Sequence, residues 1–173
     1  AAWSLKKAVD SDTSHVPAHV ELIATLIRLE RYDAAMAAAE ALRAAAPDKA
    51  ASFGALGEVL AATSRHDEAL EQFRKAHELG ANELTATKFA LAQGRVNQVV
   101  ADDWLTQWVK DNPEHRLARR MLAERHLQKG DYELAQSDYE QLVKWHSADA
   151  GVFNNYAHIL KRLGDPRALE IAE

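Results

Sequence analysis

The side chains best able to do chemistry in this chain are cations and amides gathered toward its C-terminal end. Arg120, Asn154, Lys161 and Arg162 carry N–H donors that hold carboxylates or other anionic groups through charge-assisted hydrogen bonds. They stand out because the whole chain is acidic, with a formal net charge of −5 and a pI near 5.9. Eight His residues raise metal binding and imidazole catalysis as alternatives. His15 and His19 are four apart, but Pro17 lies between them and they straddle an expected helix start. His115 and His126 are eleven apart, and His126 falls at a core-facing place. No carboxylate–His set has metal-ligand spacing, so the histidines read as scattered surface or half-buried imidazoles. The chain has no Cys, which excludes a disulfide framework and a Cys-based zinc site. No nucleophile elbow, P-loop or dinucleotide fingerprint occurs, so no cofactor, metal or catalytic residue is expected and the chain reads as a non-enzyme. The acidic balance argues against a nucleic-acid partner. No apolar stretch reaches the roughly 20 residues that span a bilayer.

The elements that must position these groups are helices. Hydrophobic residues make up 47% of the 173, and 34 of them are Ala, the strongest helix former. β-branched runs are short, with Val99-Val100 about the longest, so no strand is expected. The chain repeats itself at a period of 34 residues. Phe53-x2-Leu56-Gly57-x2-Leu60 precedes Ala69-x3-Phe73-x2-Ala76. Ala135-x3-Tyr139-x2-Leu142 precedes Phe153-x2-Tyr156-Ala157-x2-Leu160. A period of this size predicts stacked supersecondary units. Phasing on Pro47 and Pro113 gives a half unit at 1–15, full units at 16–49, 50–83, 84–115 and 116–149, and a half unit at 150–173. Helices are expected near 1–10, 16–29, 32–45, 50–63, 66–79, 84–93, 97–110, 116–128, 132–145, 150–162 and 166–173. Turns within units fall at Glu30-Arg31, Ser64-Arg65, Gly94-Arg95, Lys129-Gly130-Asp131 and Gly164-Asp165. Gly57 opposite Ala69, and Ala123 opposite Ala135, let paired helices approach closely.

These residues resemble the tetratricopeptide repeat superfamily over essentially the whole chain. The resemblance implies an all-α, right-handed α-α superhelix of antiparallel helix pairs. It also implies a non-catalytic scaffold that binds a peptide or protein segment in a groove lined by the first helix of each unit. The groove places hold Pro17, Val20, Ala24, Ile27 and Arg28 in the first full unit, and Ala51, Gly54, Glu58, Ala61 and Ala62 in the second. They hold Leu117, Arg120, Glu124, Leu127 and Gln128 in the fourth, and Gly151, Asn154, His158, Lys161 and Arg162 in the last, with Lys88 in the irregular third. The groove therefore reads as apolar and small-lined at its N-terminal end, and as basic and amide-rich toward its C-terminal end. Carboxylate clamps of the family use Lys and Asn at such places, and Glu124 and His158 depart from that pattern.

The last third has a narrower resemblance. Leu117-Ala118, Leu122-Ala123-x2-His126, Gly130-Asp131-Tyr132, Phe153-Asn154-Asn155-Tyr156-Ala157 and Gly164-Asp165-Pro166-Arg167-Ala168-Leu169-Glu170 are similar to the PEP-CTERM-system tetratricopeptide lipoprotein family. That family is linked to exopolysaccharide and exosortase loci in bacteria. The similarity implies a periplasmic, envelope-associated location and, as an alternative role, contact with an anionic polysaccharide or its assembly machinery. The lipidated Cys of that family is absent here. The chain opens and stops in mid-unit, as a piece of a longer array does. Trp3, Leu5, Leu169 and Ile171 are therefore expected to support self-association through terminal helices. Trp104 and Trp108 share one helix face, which places them in inter-repeat core or in an exposed partner-binding pair.

Overall fold

The structure is a computed structural model that describes residues 2–145 and 149–171. Within them the chain is all-α, with eleven helices. These are α1 (Ala2–Ser11), α2 (Val16–Arg28), α3 (Tyr32–Ala45), α4 (Ala50–Ala62), α5 (His66–Leu79) and α6 (Glu83–Val96), then α7 (Gln98–Asp111), α8 (Arg116–Lys129), α9 (Tyr132–Trp145), α10 (Ala150–Leu163) and α11 (Arg167–Ile171). Ten of them fall within two residues of the expected bounds at each end, as far as the described residues reach. Positions 172 and 173 of the last expected helix lie outside the described residues. The helices form two compact units, residues 1–98 and residues 99–173.

The exception is α6. A turn is expected at Gly94-Arg95, but the helix runs through both residues to Val96. Its start is fixed by reciprocal capping. The Thr85 N–H donates to Asn82 Oδ1 at 3.1 Å, and the Asn82 N–H donates to Thr85 Oγ1 at 3.0 Å. One internal Gly costs a helix only about 1 kcal/mol relative to Ala. Burial of Ala86 and Ala90 on one face, and of Ala92 on another, outweighs that.

Four turns between paired helices share one geometry. Glu30, Ser64, Gly130 and Gly164 have φ of 56°, 61°, 80° and 71°. In each, the next residue's N–H closes on a carbonyl five residues back, as Arg31 does on Leu26 at 2.9 Å and Asp131 on His126 at 2.9 Å. Two of these left-handed positions hold residues with a Cβ, which costs roughly 1–2 kcal/mol each. Glycine removes that strain but loses some of it again to unfolded-chain entropy. We expect Glu30→Gly and Ser64→Gly each to stabilise by about 0.5–1 kcal/mol, and Gly130→Ala to destabilise by about 1 kcal/mol. Urea melts of the three variants check the signs; destabilisation by Ser64→Gly would contradict this account of the turn.

In residues 1–98 the core is built on Ile23, Leu42 and Val59, each fully buried. The repeat pattern puts Gly57 opposite Ala69, and the Phe73 ring is what a side chain at Gly57 would meet first. A Cβ there would lie 2.9 Å from Phe73 Cε1 and 3.0 Å from two further ring carbons. Glycine at this place makes room for the Phe73 ring rather than for a neighbouring backbone. In residues 99–173 the core gathers Ala123, Ala135, Tyr139, Leu142, Ile159 and Leu160. The Tyr139 hydroxyl accepts a hydrogen bond from Asn155 Nδ2 at 2.8 Å. Trp3 and Leu169 are 75% and 80% exposed. Leu5 and Ile171 instead pack against the cores of their own units, because both fall on the inward faces of short helices.

Candidate functional site

The basic residues singled out from sequence separate into two groups in residues 99–173. Arg120 is engaged by carboxylates. Its Nε donates to Glu124 Oε1 at 3.1 Å and its Nη1 to Asp149 Oδ2 at 2.9 Å. Asp149 is the N-cap of α10 and accepts the Gly151 and Val152 N–H groups. The Val152 N–H, followed by the Arg120 charge, holds the Asp149 carboxyl below the ordinary carboxylate value. Arg120 and Glu124 therefore close the start of α10 instead of presenting a free cation.

His158, Lys161 and Arg162 form the second group. They share an open recess of about 480 Å³ with Tyr132. The Arg162 guanidinium lies 5.3 Å from the Tyr132 ring centre, and the His158 ring meets the same ring edge-on at 6.5 Å. Among the described residues no carboxylate pairs with Lys161 or Arg162. Asn154 is exposed on α10 but does not line this recess.

Sequence reasoning missed a buried charged network in the same unit. Arg119 Nη1 donates to Asp138 Oδ1 at 2.9 Å, and His126 Nδ1 lies 3.0 Å from Asp138 Oδ2. Asp138 is 6% exposed. Burial is the strongest influence on its carboxyl and raises it above the ordinary value, against the pull of His126 and Arg119. A signal was available: Asp138 sits in register with Ala135 and Leu142 on the inward face of α9. The network joins α8 to α9 and is structural.

His15, His115, Trp104 and Trp108 have local partners. His15 caps α2, its Nδ1 accepting the Ala18 N–H at 3.1 Å. Trp104 and Trp108 stack at 5.4 Å with 9° between ring planes, and Trp108 Nε1 donates to His115 Nδ1 at 3.1 Å. Both indoles are half-buried. Among the described residues no three His, Asp or Glu side chains gather as a metal site.

The apolar end of the expected groove lies in residues 1–98. Here α2 packs on α4, and α5 packs on both α4 and α6. Three depressions of about 280, 300 and 340 Å³ all include Glu58 and Phe73. One is lined by Val20, Ala51, Gly54 and Leu84, one by Ala24, Ile27 and Ala61, and one by Ala61 and Leu91. A Cβ at Gly54 would meet nothing within 4 Å, so its absence leaves open space in the depression. Lys88 is hydrogen-bonded to Glu58, and both are about two-thirds buried. The pair lies between α4 and α6, and the depressions are lined in addition by the polar or charged Arg28, His66, Asn82, Thr85 and Arg95. Lys88 thus stands on this wall with its charge already answered.

A tetratricopeptide repeat family model matches residues 21–83 and 77–151. The chain belongs to the tetratricopeptide repeat family. Solved structures agree on the fold. The chain aligns with YrrB, a tetratricopeptide protein with an unusual peptide-binding site, over 99% of its length and 90% of that chain, at 19% identity and a TM-score of 0.63. It aligns with PilW, a widely conserved type IV pilus biogenesis factor, over 97% of its length and 80% of that chain, at 19% identity and a TM-score of 0.76. The thermophilic tetratricopeptide protein TTC0263 from Thermus thermophilus is similar over 92% of this chain and 89% of its own, at 20% identity and a TM-score of 0.71. At these identities the likeness shows the fold alone. Comparison with curated proteins returns no match. Tetratricopeptide repeat proteins are in general protein-interaction scaffolds, and the helix-pair pattern of both units places this chain in that class.

Proposed function

We propose that residues 1–98 bind an apolar peptide segment along the face formed by α2, α4 and α6. The observation that carries this reading is the convergence of three small-lined depressions on Glu58 and Phe73. Adjacent depressions lined by Ala, Gly, Val, Leu and Ile accept a row of apolar side chains, as small-molecule and peptide sites generally do. The Glu58–Lys88 pair at their meeting point offers an acceptor and a donor to a peptide backbone. Apolar contacts supply the affinity, and the ion pair fixes register. YrrB, a protein of the same fold, has a peptide-binding site, which supports the class of ligand.

The test is selection of a phage-displayed random peptide library against the whole chain. Enriched peptides should be rich in apolar residues and lose roughly tenfold or more in affinity on Ala61→Arg, a change of about 1.4 kcal/mol or more. The same peptides should bind Arg120→Glu as they bind the parent. Enrichment of acidic peptides that ignore Ala61→Arg would overturn the assignment.

A second reading takes Lys161 and Arg162 beside Tyr132, with no carboxylate partner among the described residues, as its observation. It is an envelope role in which this recess contacts an anionic polysaccharide, consistent with the PEP-CTERM-like motifs and with a pilus-biogenesis protein among proteins of the same fold. Binding of alginate that weakens steeply with salt and is lost on Lys161→Glu supports it. Alginate binding indifferent to both counts against it.

A further inference from the structure

Two of the three depressions around Phe73 carry balanced charge. In one, Arg28 is answered by Glu21 at 3.1 Å and donates to Thr25 Oγ1 at 3.0 Å. In another, the charged lining residues are Glu58 and Lys88, which answer each other. The third, of about 280 Å³, differs, because it adds Arg95 and His66 to that pair. Among the described residues no carboxylate pairs with Arg95.

The helices place this cation. Lys88, Leu91, Ala92 and Arg95 recur at helical spacing and share one stripe of α6. Arg95 is exposed in the last turn, where the helix dipole favours any cation, and that alone would carry nothing. The second observation is what it stands beside. Ala69, Phe73 and Ala92 are buried and give the same depression an apolar floor. His66, the first residue of α5, lines it as well, so donors come from two helices. A guanidinium offers a carboxylate two parallel N–H groups, and a neutral imidazole offers one. With that imidazole neutral, Lys88, Arg95 and Glu58 leave the lining one positive charge. One carboxylate matches it, and a phosphate dianion does not.

We propose, on the peptide reading above, that the apolar segment carries an Asp or Glu side chain that meets Arg95. The apolar side chain next to that acid sits over Ala69, Phe73 and Ala92. This depression holds no α2 residue, whereas the other two do, so the acid marks one end of the bound segment.

The test uses the whole chain and the peptides selected from the phage library. Those peptides are fused to the coat protein through their C-termini, and they are then measured as C-terminal amides, so no terminal carboxylate takes part. They should share an Asp or Glu at a fixed offset from an apolar residue. Replacing that acid with its amide should weaken binding about fivefold, the upper size of an exposed ion pair. Added salt should shrink the difference. Acid and amide peptides should bind Arg95→Gln alike. Arg95→Glu should prefer a peptide with Lys in place of the acid, a reversal that misfolding cannot produce. Peptides that weaken on Ala61→Arg yet share no acid, or whose acid is indifferent to Arg95→Gln, would overturn the Arg95 assignment and leave the peptide face standing. Peptides indifferent to Ala61→Arg, or no enrichment at all, would overturn both.

Discussion

Replacing Arg119 with Met is expected to cost residues 99–173 about 3–5 kcal/mol at neutral pH, the usual penalty for removing one partner of a buried ion pair. The reason is Asp138, which loses the 2.9 Å hydrogen bond from Arg119 and keeps only His126. Met retains the packing of the aliphatic stem, so the loss reports the guanidinium, which also donates to the Pro113 carbonyl at 3.3 Å and lies 5.6 Å from the Trp145 ring centre. The pH dependence gives a second readout. Burial already raises the Asp138 carboxyl, so the folded state holds that proton more tightly than the unfolded chain does. Its contribution to stability is therefore fully present in acid and is lost as pH rises through the folded value. Without Arg119 the carboxyl rises further. The Arg119→Met deficit should thus be large near neutrality and shrink as pH falls through the carboxylate range. Urea melts across that range check this, and a deficit independent of pH would mean that packing, not charge, makes the contact.

Phe73→Ala is expected to have an effect of similar size, about 3–5 kcal/mol in residues 1–98, because it empties the space of a buried aromatic ring. Phe73 is 6% exposed and borders all three depressions of the peptide face. Its loss should therefore weaken peptide binding as well as stability. A double-mutant cycle with Gly57 isolates the contact. Gly57→Ala alone forces a Cβ to within 2.9 Å of the ring and should cost about 1–3 kcal/mol. In the Phe73→Ala background the same substitution meets no ring and should stabilise the helix by up to about 1 kcal/mol. A coupling energy near zero by chemical denaturation would show that Gly57 is not there for Phe73.

The helices were legible because their signals are local. Alanine content, Pro47 and Pro113 at unit ends, and the 34-residue spacing fix the elements before any tertiary contact is known. The left-handed turns were legible at Gly130 and Gly164 but not at Glu30 and Ser64, where the shared hydrogen-bond closure imposes the conformation on unfavourable residues. The end of α6 was misplaced because Gly94 reads as punctuation, whereas the Asn82–Thr85 cap and the buried alanines carry the helix past it.

The candidate site was legible in its residue types and illegible in its pairings. Repeat position is enough to gather Ala24, Gly54 and Ala61 on one apolar face, and these residues line the depressions around Phe73. That Lys88 meets Glu58, and that Arg120 meets Asp149, depends on residues 30 and 29 apart in the chain, whereas the Arg120–Glu124 pair is four apart on one helix. Repeat position says which face a residue occupies but not which neighbour answers its charge. The 3.0 Å contact of His19 Nε2 with the Thr13 carbonyl is of the same kind.

The chain has no cysteine, so a single one can be placed at will. Peptides enriched by the library selection can be tested against three such variants, each carrying a photo-crosslinker, at Ala24, Ala61 and Ala37. The first two lie in the depressions of the peptide face and the third on α3. Cross-links from positions 24 and 61 and none from position 37 are the predicted result. Cross-links from position 37 alone, or from none of the three while binding persists, would contradict peptide binding on the α2–α4–α6 face.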